Sequence, residues 1–193
     1  MLGIPGLGQV VSTATTVASV AGTMVRSGVV APMRPDKYVR IVAAARREGL
    51  SVTSGFTMAA QRSPNRVALV DEIGSLTFRE LDERADALAA ALQGYGAQTV
   101  GVMCRNHRGF VEALIASIRI GADVLLLNTS FAGPALAEVV NRENVDVVIY
   151  DEEFGDTVDR AVADQPDTVR VVAWSDNPLT HEVCVEKLIE KCH

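Results

Sequence analysis

GSLTFRELDERADALAAALQGYGAQTVGVMCRNHRGFVEALIASIRIGADVLLLNTSF, residues 74–131, decides the fold of this 193-residue chain. Thr77-Phe78-Arg79-Glu80 has the S/T-x-x-E spacing of a capping box, in which the hydroxyl accepts from the N3 amide and the carboxylate reaches back to the cap. A helix therefore starts here. Leu81, Ala85, Leu88 and Leu92 recur at helical spacing and form one apolar stripe, and Gly94 and Gly96 stop it. Thr99–Cys104 is a short apolar run, the pattern of a strand buried on both faces. A helix over residues 108–120 and a second apolar strand over 123–127 follow, so the order is strand, helix, strand without a hairpin turn between the strands.

Outward from this stretch the alternation continues. Pro134 opens a helix to about Glu143, residues 145–150 read as a strand, 152–163 as a helix, 168–173 as a strand and 181–191 as a helix. On the other side, residues 66–71 and 76–78 read as a hairpin across the turn at 72–75, preceded by a short helix at 56–61 that ends at Ser63-Pro64-Asn65. Strands alternating with helices of this length require crossover connections. The fold class is therefore α/β, a mostly parallel sheet with helices on both faces, preceded by N-terminal helices.

The N-terminal helices are two. Pro35 to Glu48 reads as one, with Gly49 as its stop. Residues 1–25 carry no charged side chain, and Val10, Ala14, Val17, Ala21 and Met24 share one helical face while Ser12, Thr16, Ser19 and Thr23 share the other. Those hydroxyl residues interrupt any spanning segment, and no basic region marks a secretory signal. Two readings stay open: a helix docked on protein, or peripheral membrane contact through residues 1–25. The domain division is 1–34, an amphipathic helix and linker, and 35–193, an incomplete N-terminal α/β subdomain.

A net charge of −6 with signs interspersed excludes a nucleic-acid-binding footprint. Of eighteen basic residues only Lys37, Lys187 and Lys191 are lysines, which limits chemistry needing a lysine point charge. Cys104, Cys184 and Cys192 lack disulfide-framework spacing and read as free thiols of a cytoplasmic protein.

Open parallel sheets bind ligands at the carboxyl ends of their strands. Two polar junctions lie there: Arg105-Asn106-His107-Arg108 and Asn128-Thr129-Ser130. Asn106, His107, Thr129 and Ser130 are the candidate substrate-facing residues, with capping of the next helix as the competing role. His107 has no acidic residue near in sequence to orient it. The glycines at 3, 6 and 8 do not form a phosphate loop, and no G-x-S-x-G occurs. His181 and Cys184, spaced for one helix face, with Cys192 and His193 at the terminus, have metal-ligand chemistry but no anchored geometry, so no metal site is assigned.

Pro64-x-Arg66-Val-Ala-Leu, Leu76-Thr77-Phe78-x-Glu80-Leu81, Val100-x-Val102-x-x-x-Asn106 and Ile120-Gly121-Ala122 with Leu127-Asn128 resemble, in order and spacing, the N-terminal part of AMP-forming acyl-CoA synthetases of the adenylate-forming superfamily. CRNHRGFVEAL at 104–114 and LLLNTSFAGP at 125–134 look most like the actinobacterial fatty-acid–CoA ligase branch. The resemblance spans about residues 35–190 and implies the N-terminal subdomain of that fold. It also implies ligation of a fatty acid to CoA through an acyl-adenylate, with ATP, Mg²⁺ and CoA as cofactors of a full-length member only. That chemistry uses a Ser/Thr/Gly-rich loop with a lysine, an acid that places Mg²⁺, and a second lysine. None of these can be matched to this sequence, so no catalytic residue is assigned. The expectation is an N-terminal piece of a fatty-acid–CoA ligase, inactive alone, whose partner is a fatty acid or the remainder of the ligase. Two alternatives are a non-catalytic module that binds acyl chains or a partner, and an unrelated nucleotide-binding α/β protein.

Overall fold

The computed structural model describes residues 52–177 and 180–192. The amphipathic segment at 1–25, the helix at 35–48 and His193 lie outside the described residues. The chain runs α1 (Val52–Arg62), β1 (Val67–Asp71), β2 (Gly74–Thr77), α2 (Phe78–Gly94), β3 (Thr99–Met103), α3 (Arg108–Arg119), β4 (Asp123–Leu126), α4 (Gly133–Glu143), β5 (Val147–Asp151), a single 3₁₀ turn (Glu152–Phe154), α5 (Gly155–Ala161), β6 (Val169–Trp174) and α6 (Val185–Cys192). β3 to β6 form a parallel sheet in the order β4-β3-β5-β6, and β1 and β2 a separate antiparallel hairpin.

Alternation along the strands divides the core into two layers. Val100 and Val102 of β3, Val147 and Ile149 of β5, and Val171 of β6 pack with Leu88, Leu92, Ala113, Ala116, Val185 and Ile189, which come from α2, α3 and α6. Met103, Val148, Tyr150 and Val172 point the other way, onto Leu136 and Val140 of α4 and Val158 of α5. All five residues of β5 are buried, the four apolar ones in the two core layers and Asp151 at its carboxyl end. At Gly101 a Cβ would come within 2.9 Å of Leu127 Cδ1, so glycine lets the β4 exit close over β3.

The capping box holds as read. Glu80 N–H donates to Thr77 Oγ1 at 3.3 Å and Thr77 N–H donates to Glu80 Oε2 at 2.7 Å. Leu81, Ala85, Leu88 and Leu92 are all buried. Glu112, on α3, is fully buried. Arg84 of α2 donates to it at 2.5 Å and to Glu186 of α6 at 2.6 Å, so one guanidinium fastens three helices. Burial pushes the Glu112 carboxyl above its ordinary range, and Arg84 only partly opposes this.

Several boundaries differ from the sequence reading, beginning with α1, which starts at Val52 rather than at residue 56. β2 begins at Gly74, because Asp71 Oδ1 accepts from the Ile73 and Gly74 amides and tightens the turn. β5 begins at Val147: Asn144 takes a left-handed conformation at the end of α4, and Asp146 spends its carboxylate on the Gln98 and Thr99 amides. The helix expected at 152–163 starts as a 3₁₀ turn, and the last helix starts at Val185 rather than His181.

Candidate functional site

At the carboxyl end of the sheet, the exits of β3, β5 and β6 and the β1–β2 turn enclose a cavity of about 270 Å³. Its walls are Asp71, Glu72, Arg105, Asn106, His107, Asp151, Glu153 and Trp174. Two of the four sequence candidates, Asn106 and His107, are thus brought together here. Thr129 and Ser130 sit at the exit of the edge strand β4, where Asn128 Oδ1 accepts from the Ser130 amide at 2.9 Å, and they are not among these wall residues.

His107 is buried and caps α3: its Nδ1 accepts from Gly109 N–H at 3.1 Å. Its Nε2 lies 2.9 Å from Asp151 Oδ1, and Trp174 stacks on it with ring centroids 4.5 Å apart. The orienting acid absent from its sequence neighbourhood is therefore Asp151, 44 positions along. Pairing of β3 with β5, Met103 opposite Tyr150, carries it there. Asp151 Oδ2 accepts from the Arg105 amide at 2.7 Å. The missed signal was an acid on the last residue of a parallel strand.

Arg108 clamps the hairpin to the site. Its Nε and Nη2 donate to Asp71 at 2.8 and 2.6 Å, and its amide donates to the same carboxylate at 3.1 Å. The Arg108 guanidinium holds the Asp71 carboxyl well below the usual range. Arg105 reaches outward to Glu153 and over the Phe154 ring.

Cys104, His107 and Asp151 place potential metal-ligand atoms within 4.8 Å of one another. Their hydrogen bonds are directed inward instead. The Nδ1 lone pair is taken by Gly109 N–H and the Cys104 thiol donates to the Ile149 carbonyl at 3.6 Å, while burial followed by the Asp151 charge pushes that thiol up. His181 and Cys184 do not share a helix face, since both precede α6. Cys184 is buried at a bridge to Val172, while Cys192 is exposed on the last turn. Four acidic residues line the cavity, Asp71 and Asp151 with their carboxylates bonded within the protein, against one exposed guanidinium that is paired with Glu153, which is not the donor set of a phosphate cradle.

A family model described as AMP-binding enzyme matches residues 56–189. The chain belongs to that family. Among AMP-binding enzymes and their relatives, a medium/long-chain-fatty-acid–CoA/3-oxocholest-4-en-26-oate–CoA ligase of Mycobacterium marinum is 28% identical over 116 residues, 58% of this chain and 21% of the ligase. A 3-oxocholest-4-en-26-oate–CoA ligase of Rhodococcus rhodochrous is 29% identical over the same share of each chain. The chain thus spans about a fifth of the length of these ligases. Two solved structures share the fold: a benzoate CoA ligase from Burkholderia xenovorans (TM-score 0.61, 21% identity, covering 77% of this chain and 28% of that one) and the anthranilate CoA ligase AuaEII (TM-score 0.62, 20% identity, covering 79% and 28%). The parallel sheet with its helices matches the N-terminal subdomain of adenylate-forming ligases. Among the described residues no helix is long and apolar enough to cross a membrane.

Proposed function

We propose that these 193 residues are the N-terminal part of a fatty-acid–CoA ligase, supplying scaffold and one wall of a ligand cleft, and that alone they do not adenylate a fatty acid. The observation that carries this is the acidic lining of the cleft. Acyl adenylation develops negative charge on phosphate oxygens, which needs cationic or N–H donors aimed at it. Here Glu72 and Glu153 line the cavity beside Asp71 and Asp151, whose carboxylates are taken by Arg108 and by His107 with the Arg105 amide, and the Arg105 guanidinium is itself turned to Glu153 rather than into the cleft. The sequence supports the same reading, since no Ser/Thr/Gly-rich lysine loop occurs in it. ATP, Mg²⁺ and CoA belong to the complete enzyme. In this reading Asn106 and His107 wall the cleft and Thr129 and Ser130 shape the neighbouring rim, the fatty acid or the remainder of the ligase is the partner, and the protein works in the cytoplasm.

The test is pyrophosphate release from ATP and Mg²⁺ with a long-chain fatty acid, using the isolated chain. No release above the protein-free blank is expected, and turnover would overturn the proposal. Binding of a labelled fatty acid without turnover would instead favour a non-catalytic acyl-binding module.

A further inference from the structure

We infer that Asp151 is the positioning residue of this cleft: with Gly109 N–H holding the tautomer of His107, its carboxylate ties that ring to the Arg105 amide and so sets the path of the Cys104–Arg108 junction. Every proton in the unit has one place. Gly109 N–H donates to His107 Nδ1, so the hydrogen of the neutral ring is on Nε2, from which it donates to Asp151 Oδ1. The other carboxylate oxygen accepts from the Arg105 amide. The result is a closed chain from the end of β5, through the carboxylate and the ring, to the first turn of α3. Both side chains are at least nine-tenths buried, so water does not replace a lost partner.

The charge at position 151 is required as well as the shape. An isosteric amide has one accepting and one donating head. Turned one way, its NH₂ meets the Arg105 N–H; turned the other, it meets the ring N–H. The ring could adapt only by moving its hydrogen to Nδ1, where it would meet the Gly109 N–H. Asp151→Asn therefore breaks one bond of the chain whichever way it sits. The ring itself has no spare donor or acceptor, so His107 shapes the wall while Asn106, exposed beside it, is the junction's ligand-contacting side chain. This assignment rests on the cleft being the ligand site proposed above.

The experiment is a long-range ¹H–¹⁵N spectrum of the histidine rings in the full chain, ligand-free. The expected wild-type result is a His107 ring with well-separated nitrogens, Nε2 protonated. In Asp151→Asn the ring should stay protonated on Nε2, while either the Arg105 amide or the His107 Nε2 signal shifts, according to which bond the amide gives up, and Ala85 in α2 stays in place. A wild-type ring protonated on Nδ1, or an Asp151→Asn spectrum identical to wild type, overturns the inference. A wild-type ring protonated on Nδ1 overturns the inference even if the variant does not fold. Because it is read without ligand, its result is separate from the fatty-acid test of the proposed function.

Discussion

The two polar junctions that look alike in sequence, after β3 and after β4, have different fates. Arg105–Arg108 leaves a strand with neighbours on both sides. Its groups are met by Asp151 from β5, Trp174 from β6 and Asp71 from the hairpin. Asn128–Ser130 leaves the edge strand, and the bonds of Asn128 are local, to the Ser130 and Phe131 amides. Position in the sheet, rather than residue type, decides which junction becomes a rigid cleft wall.

The largest expected effect on this contrast comes from the helix behind the β3 junction. Glu112→Ala leaves Arg84 with one of its two partners and empties a fully buried position, and should cost about 3 kcal/mol in a denaturant titration. A cost under 1 kcal/mol would show that α3 is not fastened by this pair. His107→Ala removes the α3 cap and strands one Asp151 oxygen in the interior, for about 2 kcal/mol. Asn128→Ala, at the exposed β4 exit, should stay within about 0.5 kcal/mol. If the Asn128 variant cost as much as the His107 variant, the contrast between the junctions would fail.

Acid titration sharpens the same point. Asp71 has a depressed carboxyl in the folded state, so the unfolded chain binds its proton first as pH falls. The stability it contributes is full at neutral pH and is lost as pH drops below about 4. Thermal midpoints measured from pH 6 downward should therefore show a shallower acid decline in Asp71→Asn than in wild type. Parallel curves would count against Arg108 as the clamp of the hairpin.

The sequence made the helices and strands legible because each carries its own local signal: the capping box at Thr77, the stripe from Leu81 to Leu92, the short apolar run at Thr99–Cys104. It also pointed to Asn106 and His107 through a general property of parallel sheets. It did not reveal the partners. Asp71 and Asp151 are 37 and 44 positions from the residues they hold, a separation that only strand pairing closes. Nothing local in the sequence marks Glu112 as buried. The late start of the last helix was hidden because His181 to Cys184 has a helical spacing that its backbone does not adopt.

The buried end of β3 also makes the protein report on its own opening. Cys104 is held as a protonated thiol under the Asp151 carboxylate, Cys184 is fully enclosed beside β6, and Cys192 stands in solvent. A thiol reagent added to the native chain should modify Cys192 promptly, the half-buried Cys104 more slowly because its thiol is held protonated, and Cys184 last. The delay of the Cys184 reaction then times how often that end of the sheet comes apart.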